Sequence, residues 1–429
     1  MSSVIPSMRI IADLHIHSPY ARAVSRDMTL ENLDVWAAKK GITVMGTGDF
    51  THPKWMREIK EKLEPAETGL YILKKQETGN RKQPTRFMVT VEISSIYTQH
   101  KKVHRIHNLI FAPSIETAEK INKELGWRGN LTSDGRPIMG IDAEELAKIV
   151  FNIDPDAALV PAHAFTPWFS IFGSMSGFDS IEECFGDQSK YIYALETGLS
   201  SDPAMNWRLS QLDSIALISN SDSHSLQRIG REANVFDCAL SYAGIMSAIK
   251  SRDPKKFLFT VEFFPEEGRY HYDGHASHKL RMSPEETKKN GGKCPVCGRP
   301  VTVGVMSRVE KLADRPAGAK PANAIPFRST VPLDEIIAEA FDQGANTKKV
   351  REEYKRLLKV LGTEFAILMD APIADIEAAA APAVAEGIAR VRAGKLQIEP
   401  GYDGEYGTVK IFSDADREAF AGGQTQLFS

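Results

Sequence analysis

Asp13-Leu14-His15-Ile16-His17-Ser18 closes the first apolar run of the chain, and Asp222-Ser223-His224 closes a much later one. Along a strand, residues i and i+2 point to the same face. Each triplet therefore aims two imidazoles, or a carboxylate and an imidazole, into one space. That mixture of nitrogen and oxygen donors suits zinc, manganese or iron. Two such pairs converging from distant strands describe a multi-metal hydrolytic site.

Working outward from these pairs, apolar extended runs recur at 8–13, 42–46, 87–93, 106–111, 157–162, 191–196 and 215–219. Helical patterns lie between several of them. Residues 29–40 carry Leu30, Leu33 and Trp36 on one face, and 142–150 is opened by an Asp cap. The alternation predicts an α/β fold with parallel strands and crossover helices. His15, His17, Asp49, Glu92, His163, Asp222 and His224 all follow strand ends, where an α/β barrel presents its catalytic groups. A closed or distorted barrel over residues 1–265 is the expected first domain.

A chain of 429 residues is too long for one ordinary domain. It has no run of eighteen apolar residues, so no membrane span is expected, and its first residues do not form a signal peptide. Four cysteines, two of them in one Cys-x-x-Cys, leave no disulfide framework, which points to the cytoplasm. A net charge of −3 gives no global nucleic-acid signature. Local basic clusters exist at Lys74, Lys75, Arg81, Lys82 and Arg86, at Lys101, Lys102 and Arg105, and at Lys348, Lys349 and Arg351. Such clusters serve equally as solvated faces or as phosphate contacts.

Composition shifts near Pro265. Cys294-Pro295-Val296-Cys297-Gly298 has the form of a zinc knuckle, and His275-Ala276-Ser277-His278 supplies two further ligands upstream. The spacing is that of a zinc ribbon with histidines on one arm, so His275, His278, Cys294 and Cys297 are expected to hold a structural zinc, with His271 as a spare. A redox role would need a thioredoxin-like strand–helix context, which is absent. Cys184 and Cys238 read as core residues, and His100 and His104 as surface or substrate-side residues. Residues 266–315 are expected to form this zinc-binding module. Residues 316–326 read as a linker, followed by a mostly helical domain to 412. There Asn346 can cap 348–361, Gly362 stops it, Pro372 and Pro382 suit first turns, and 395–398 can pair with 408–412 as a hairpin. Residues 413–429 look like a mobile tail.

The first pair and the late Asp-Ser-His resemble the polymerase and histidinol phosphatase (PHP) family, whose members have distorted seven-stranded barrels binding up to three divalent metals. The resemblance carries over His15, His17, Glu92, His107, His163, Asp222 and His224 as ligands. Glu92 stands where the family places a bridging carboxylate. Two places depart from the pattern. Arg22 stands near an expected aspartate or histidine, and the usual Asp-His reads Asp49-Phe50-Thr51-His52, leaving Asp49 or His52 as the ligand. Asp13, Asp222 and His224 are the candidates for catalytic work, orienting ligands or managing protons. A divalent metal (zinc, manganese or magnesium) would activate water and clamp the oxygens of an in-line displacement.

The order barrel, Tyr270-His271-Tyr272-Asp273-Gly274-His275, Cys-x-x-Cys, Arg308 to Pro316, and Glu399 to Gly404 is similar to the endonuclease Q branch of that family. The resemblance implies hydrolysis of DNA on the 5′ side of deaminated bases (uracil, hypoxanthine, xanthine) and of abasic sites. Residue chemistry is compatible with this. A lesion reader takes a base out of the stack and holds it in a pocket. Trp168, Phe169, Phe172, Gly173 and Ser174, with Arg22 nearby, could form that pocket; a packed barrel lid is the competing reading. Gln424-Thr425-Gln426-Leu427-Phe428 resembles a sliding-clamp docking peptide. Two other functions stay open: a small-molecule phosphatase like the histidinol-phosphate branch, and a non-catalytic DNA-binding module. The extra modules speak against the former and the number of ligands against the latter. Work at the nucleoid follows from the leading reading.

Overall fold

Ile10, Ala12 and Leu14 bury one face of the first strand, while Ile11 buries the other in a separate apolar cluster. Both faces of Met8–Asp13 are therefore covered, as in a strand between a barrel interior and a helical layer. The computed structural model describes residues 8–74 and 84–417. In it, Met8–Asp13 pairs in parallel with Val44–Gly46, which pairs in parallel with Arg86–Gln99. The long Arg86–Gln99 and Lys102–Ala112 strands form an antiparallel hairpin, and Lys102–Ala112 continues antiparallel to Ala158–Pro161. Ala194–Glu196 and Ala216–Ile218 pair in parallel. These seven strands are the ones expected, and their interior holds Leu14, Val44, Met88, Leu109, Val160, Ala194 and Ile218.

Direction is where the sheet departs from expectation. Only residues 100 and 101 join Gln99 to its partner Lys102 across the hairpin, too few for a crossover helix, so those strands run antiparallel. Ala233–Cys238 and Phe257–Glu262 extend the sheet antiparallel beyond Met8–Asp13. The helices meet expectation more closely. Thr29 caps Leu30–Lys40 and Asp142 caps Ala143–Ile153, each accepting a backbone amide.

Past the barrel, Asp273–His275 pairs with Leu280–Met282, followed by the short helix Pro284–Lys289 and the helix Val305–Leu312. Residues 316–326 hold no helix or strand, but Phe327–Ser329 then adds to the barrel sheet, parallel to Phe257–Glu262. Helices Leu333–Ala340, Lys348–Leu361, Ile373–Ala379 and Pro382–Ala393 share their own apolar core. The hairpin is Gln397–Glu399 with Thr408–Lys410. Thr347, one residue after the expected Asn346, occupies the N-cap of Lys348–Leu361, and Pro372 caps rather than enters its helix. Residues 413–417 are tied down rather than free: Asp416 takes a bidentate contact from Arg390, and Arg417 pairs with Asp342. Residues 424–428, and with them the expected clamp peptide, lie outside the described residues, as do Lys75, Arg81 and Lys82. Among the described residues no helix is long and apolar enough to cross a membrane.

Candidate metal centre

Glu92 lies near the middle of the long Arg86–Gln99 strand, fully buried, and its two oxygens face different groups. Oε2 is 3.6 Å from His15 Nε2 and 3.3 Å from His17 Nε2. Oε1 is 2.6 Å from His107 Nδ1 and 3.0 Å from His163 Nε2. Asp222 Oδ1 completes the first group, 3.5 Å from His15 Nε2 and 3.0 Å from His17 Nε2. The result is two clusters, His15–His17–Glu92–Asp222 and Glu92–His107–His163, that share one carboxylate. The strand geometry explains the first: His15 and His17 alternate past the end of Met8–Asp13, and Ile16 bridges to Ser223 beside Asp222.

The outer contacts decide which ring nitrogens face the centre. Glu196 holds His15 Nδ1 at 3.1 Å, and Asp49 holds His17 Nδ1 at 3.0 Å. With their Nδ1 sides facing carboxylates, both rings turn Nε2 toward Glu92 and Asp222, so a proton or a cation must stand between each nitrogen and these carboxylates. His15 Nε2 is buried and has no hydrogen-bond partner. A bound cation would take the place of those protons, and a histidine backed by a carboxylate is how proteins commonly orient metal ligands. Burial opposes charge on His15 and His17, but the surrounding carboxylates outweigh it and raise both pKa values well above normal. Burial likewise works against ionised Glu92 and Asp222, yet the imidazoles, with Arg136 at Glu92, hold both below the carboxylate range. Burial pushes His107 down to about 4, leaving it the neutral imidazole a metal requires.

Backbone strain marks the same residues. Asp49, His163 and Asp222 have positive φ of 49°, 32° and 46°, a region costly for side chains other than glycine and concentrated at functional sites. Glycine makes room around them. A Cβ at Gly48 would lie 2.2 Å from the Ile16 carbonyl, and one at Gly198 would lie 2.4 Å from the His163 Cβ.

Several expected site residues sit elsewhere. Asp13 offers both oxygens to backbone amides, of Ser221 at 3.0 Å and Gly230 at 2.9 Å. It fastens the loop carrying Asp222, and burial raises its pKa to about 6. Asp49 stands behind His17, and it also accepts the Ser18 amide at 2.6 Å. His52 stacks on Tyr20 at 4.5 Å, outside both clusters. His224 lies at the rim, its ring 4.7 Å from that of His17 and its Nδ1 2.8 Å from the Asp222 carbonyl oxygen. Arg22 is exposed and pairs with Asp134. The arginine that reaches the centre is Arg136, donating to Glu92 Oε2 at 3.0 Å. Sequence reading missed both Arg136 and Glu196; the only signal for Glu196 was its place at a strand end, shared with the ligands it supports.

Of the expected base-pocket residues, Phe172 is fully buried against Phe165 and offers no face to a ligand. Gly173 is packed beneath the Thr166 carbonyl, where a Cβ would approach to 2.6 Å, and Ser174 is half-buried. Trp168 is 37% exposed, and the Phe169 ring lies 4.7 Å from that of His107. The Phe169 carbonyl accepts the His107 amide at 3.0 Å, so this loop is fixed to a cluster histidine. His104, expected near the surface, is buried and stacked 3.8 Å from Phe178.

In the second module the ligand atoms of His275, His278, Cys294 and Cys297 converge. The two Nδ1 atoms are 3.1 Å apart, and each lies 3.5 Å from one sulfur. Tetrahedral zinc with ordinary Zn–N and Zn–S bonds would set nitrogen–sulfur edges of about 3.5 Å. Burial works against a Cys294 thiolate, yet histidine and amide hydrogen bonds bring its pKa down to about 6. His271 is buried apart from these four, and Arg308 from the same module reaches back to the barrel. Arg308 donates to the Phe172 and Phe178 carbonyls at 2.8 and 2.7 Å and to Asp179 at 2.7 Å.

A family profile described as the MJ0043 C-terminal domain matches residues 332–395, the helical end. The chain is 33% identical over 304 residues to the uncharacterized protein MJ0043 of Methanocaldococcus jannaschii, and spans 37% of that protein's length. The crystal structure of the lesion-specific endonuclease Q from Pyrococcus furiosus superposes with a TM-score of 0.83 at 31% identity, covering 96% of this chain and 99% of that one. The chain belongs to the endonuclease Q family. An endonuclease Q structure in complex with a 27-mer duplex carrying an abasic lesion at its active site matches equally well, at TM-score 0.82 and 31% identity over 96% of this chain and 98% of that one. The likeness reaches across barrel, zinc-ligand module and helical end, so this endonuclease Q family member shares the fold of those two structures over nearly its whole length.

Proposed function

We propose that this chain is a lesion-specific DNA endonuclease that hydrolyses the phosphodiester bond 5′ to deaminated bases (uracil, hypoxanthine, xanthine) and to abasic sites, at the nucleoid. The observation that carries this reading is the shared Glu92, whose two oxygens serve two ligand clusters within a chain of endonuclease Q architecture. Divalent ions such as zinc, manganese or magnesium, bound there, would supply Lewis acidity and a template for in-line displacement at phosphorus. His15, His17, Glu92 and Asp222 would hold one ion and Glu92, His107 and His163 another, with His224 at the rim as an added ligand or proton carrier. Glu196 and Asp49 keep the imidazoles aimed. Arg136, at the edge of the carboxylate, is placed to neutralise phosphate charge. Trp168 and Phe169 offer the aromatic faces beside His107 on which an extruded base could rest. His275, His278, Cys294 and Cys297 would hold a structural zinc.

The test compares a labelled duplex carrying one uracil with a chromogenic phosphate monoester, each incubated with protein and metal. Nicking 5′ to the uracil, reduced at least about 100-fold in Glu92→Gln, is expected. Ester turnover without nicking would assign the site to a small-molecule phosphatase instead.

A further inference from the structure

Aromatic and cationic side chains from four separate segments form a line leading away from the metal centre. Beside His107, the Phe169 ring lies 5.8 Å from the Arg105 guanidinium carbon. Its neighbour Trp168 meets Tyr270 edge to face, 6.1 Å between centroids. Arg269, next in sequence to Tyr270, places its guanidinium carbon 5.0 Å from the Tyr406 ring centroid. Tyr406 ends the line at the hairpin loop and is 73% exposed. Core packing does not account for the exposed Trp168 and Tyr406 rings.

The line is rigidly mounted. Arg269 Nε donates to the Gly404 carbonyl at 2.7 Å, and the Gly404 amide donates back to the Arg269 carbonyl at 3.0 Å. Asp403 anchors the same loop to the zinc-ligand module, accepting the Ala276 amide at 2.6 Å and the Thr302 hydroxyl at 2.5 Å. Lys279 and Arg281 line the same groove as Tyr406 and the exposed Glu405 beside it, adding to the charge of Arg269.

We infer that this line is a binding path for unpaired nucleotides flanking the reaction centre. Open aromatic faces interleaved with guanidinium groups are the means by which proteins hold single strands: any base stacks, and the cations take phosphate. A paired duplex presents phosphates and leaves no base face for Trp168 or Tyr406 to cover. The path deepens the proposed function, since it continues from the candidate metal centre, but it can be tested without cleavage.

The experiment measures binding of a fluorescently labelled 12-nucleotide thymidine strand, and of a lesion-free blunt duplex, to the full-length protein by anisotropy. Tyr406→Ala is expected to weaken single-strand binding at least about five-fold while shifting duplex binding less than two-fold, and Tyr406→Phe to restore the single strand. The strand should also quench tryptophan fluorescence in the parent protein and quench it less in Trp168→Phe. Unchanged single-strand affinity in Tyr406→Ala, or equal losses for strand and duplex, overturns the path. Failure of uracil nicking would overturn the proposed function and leave this measurement standing.

Discussion

A histidine that ligates a cation through one nitrogen depends on what grips the other. Glu196 takes the Nδ1 side of His15 and is itself fixed by the His163 amide at 2.9 Å and the Asn220 side chain at 2.9 Å. One buried carboxylate thus aligns His15 and the backbone of His163, which belong to different clusters. Glu196→Gln keeps the shape and removes the charge. It is expected to weaken metal binding roughly 10–100-fold, read by metal titration with a competing chelator. Retention of full affinity would show that His15 needs no backing carboxylate. Asp13→Asn makes a useful contrast, because Asp13 serves two amides and no cluster histidine. Asp13 also shows the limit of reading a motif: its spacing from His15 promised a shared face, but two amides of a loop two hundred residues away claimed its oxygens. The ligands themselves were legible because i, i+2 spacing at strand ends constrains them. Arg136 and Glu196 were not, because a lone charged residue in a loop or at a strand end carries no spacing to recognise.

At the level of elements, apolar extended runs located all seven barrel strands, and an apolar face and an Asp cap located two of the helices between them, Leu30–Lys40 and Ala143–Ile153. Strand direction was lost because apolar runs look alike in either sense, and only the shortness of the turn near 100–101 reveals the antiparallel hairpin. One strand end carries a further consequence. Glu262 closes Phe257–Glu262 fully buried, receiving hydroxyls from Thr260 at 2.5 Å and Thr197 at 3.0 Å. Burial pushes its pKa up to about 8, and burial together with Glu262 also pushes the nearby Glu232 well above normal. Between the unfolded value near 4.5 and about 8, the native state keeps a proton that the unfolded chain releases. Stability therefore falls as pH rises through that window and levels off above it. Glu262→Gln should flatten this slope and raise stability at pH 8 by roughly 2 kcal/mol or more, measured by urea unfolding at pH 5, 6.5 and 8. A parent protein equally stable at pH 5 and pH 8 would contradict the buried neutral carboxyl.

The barrel, the zinc-ligand module and the helical end hold one another through buried polar ties as much as through apolar area. Arg308 reaches from the module into the loop behind Trp168, and Phe327–Ser329 stitches the helical end onto the barrel sheet. The composition shift near Pro265 marked a module boundary but could not reveal these returns, since each depends on one residue or three. The deepest tie is Lys40, at the end of helix Leu30–Lys40, with Glu364 of the helical end. Their side chains are 3% and 5% exposed, at 2.9 Å. Glu364 also accepts the Tyr354 hydroxyl at 2.6 Å and the Leu333 amide at 3.2 Å, so its charge is shared among three donors. Removing the lysine alone strands a carboxylate in the interface. Lys40→Met is therefore expected to cost about 3–5 kcal/mol, whereas Lys40→Met with Glu364→Gln should recover at least half, because the glutamine oxygen still serves Tyr354 and Leu333 without a buried charge. Calorimetry of the two variants separates the outcomes. A single variant as stable as its parent would mean that Lys40 does not neutralise Glu364.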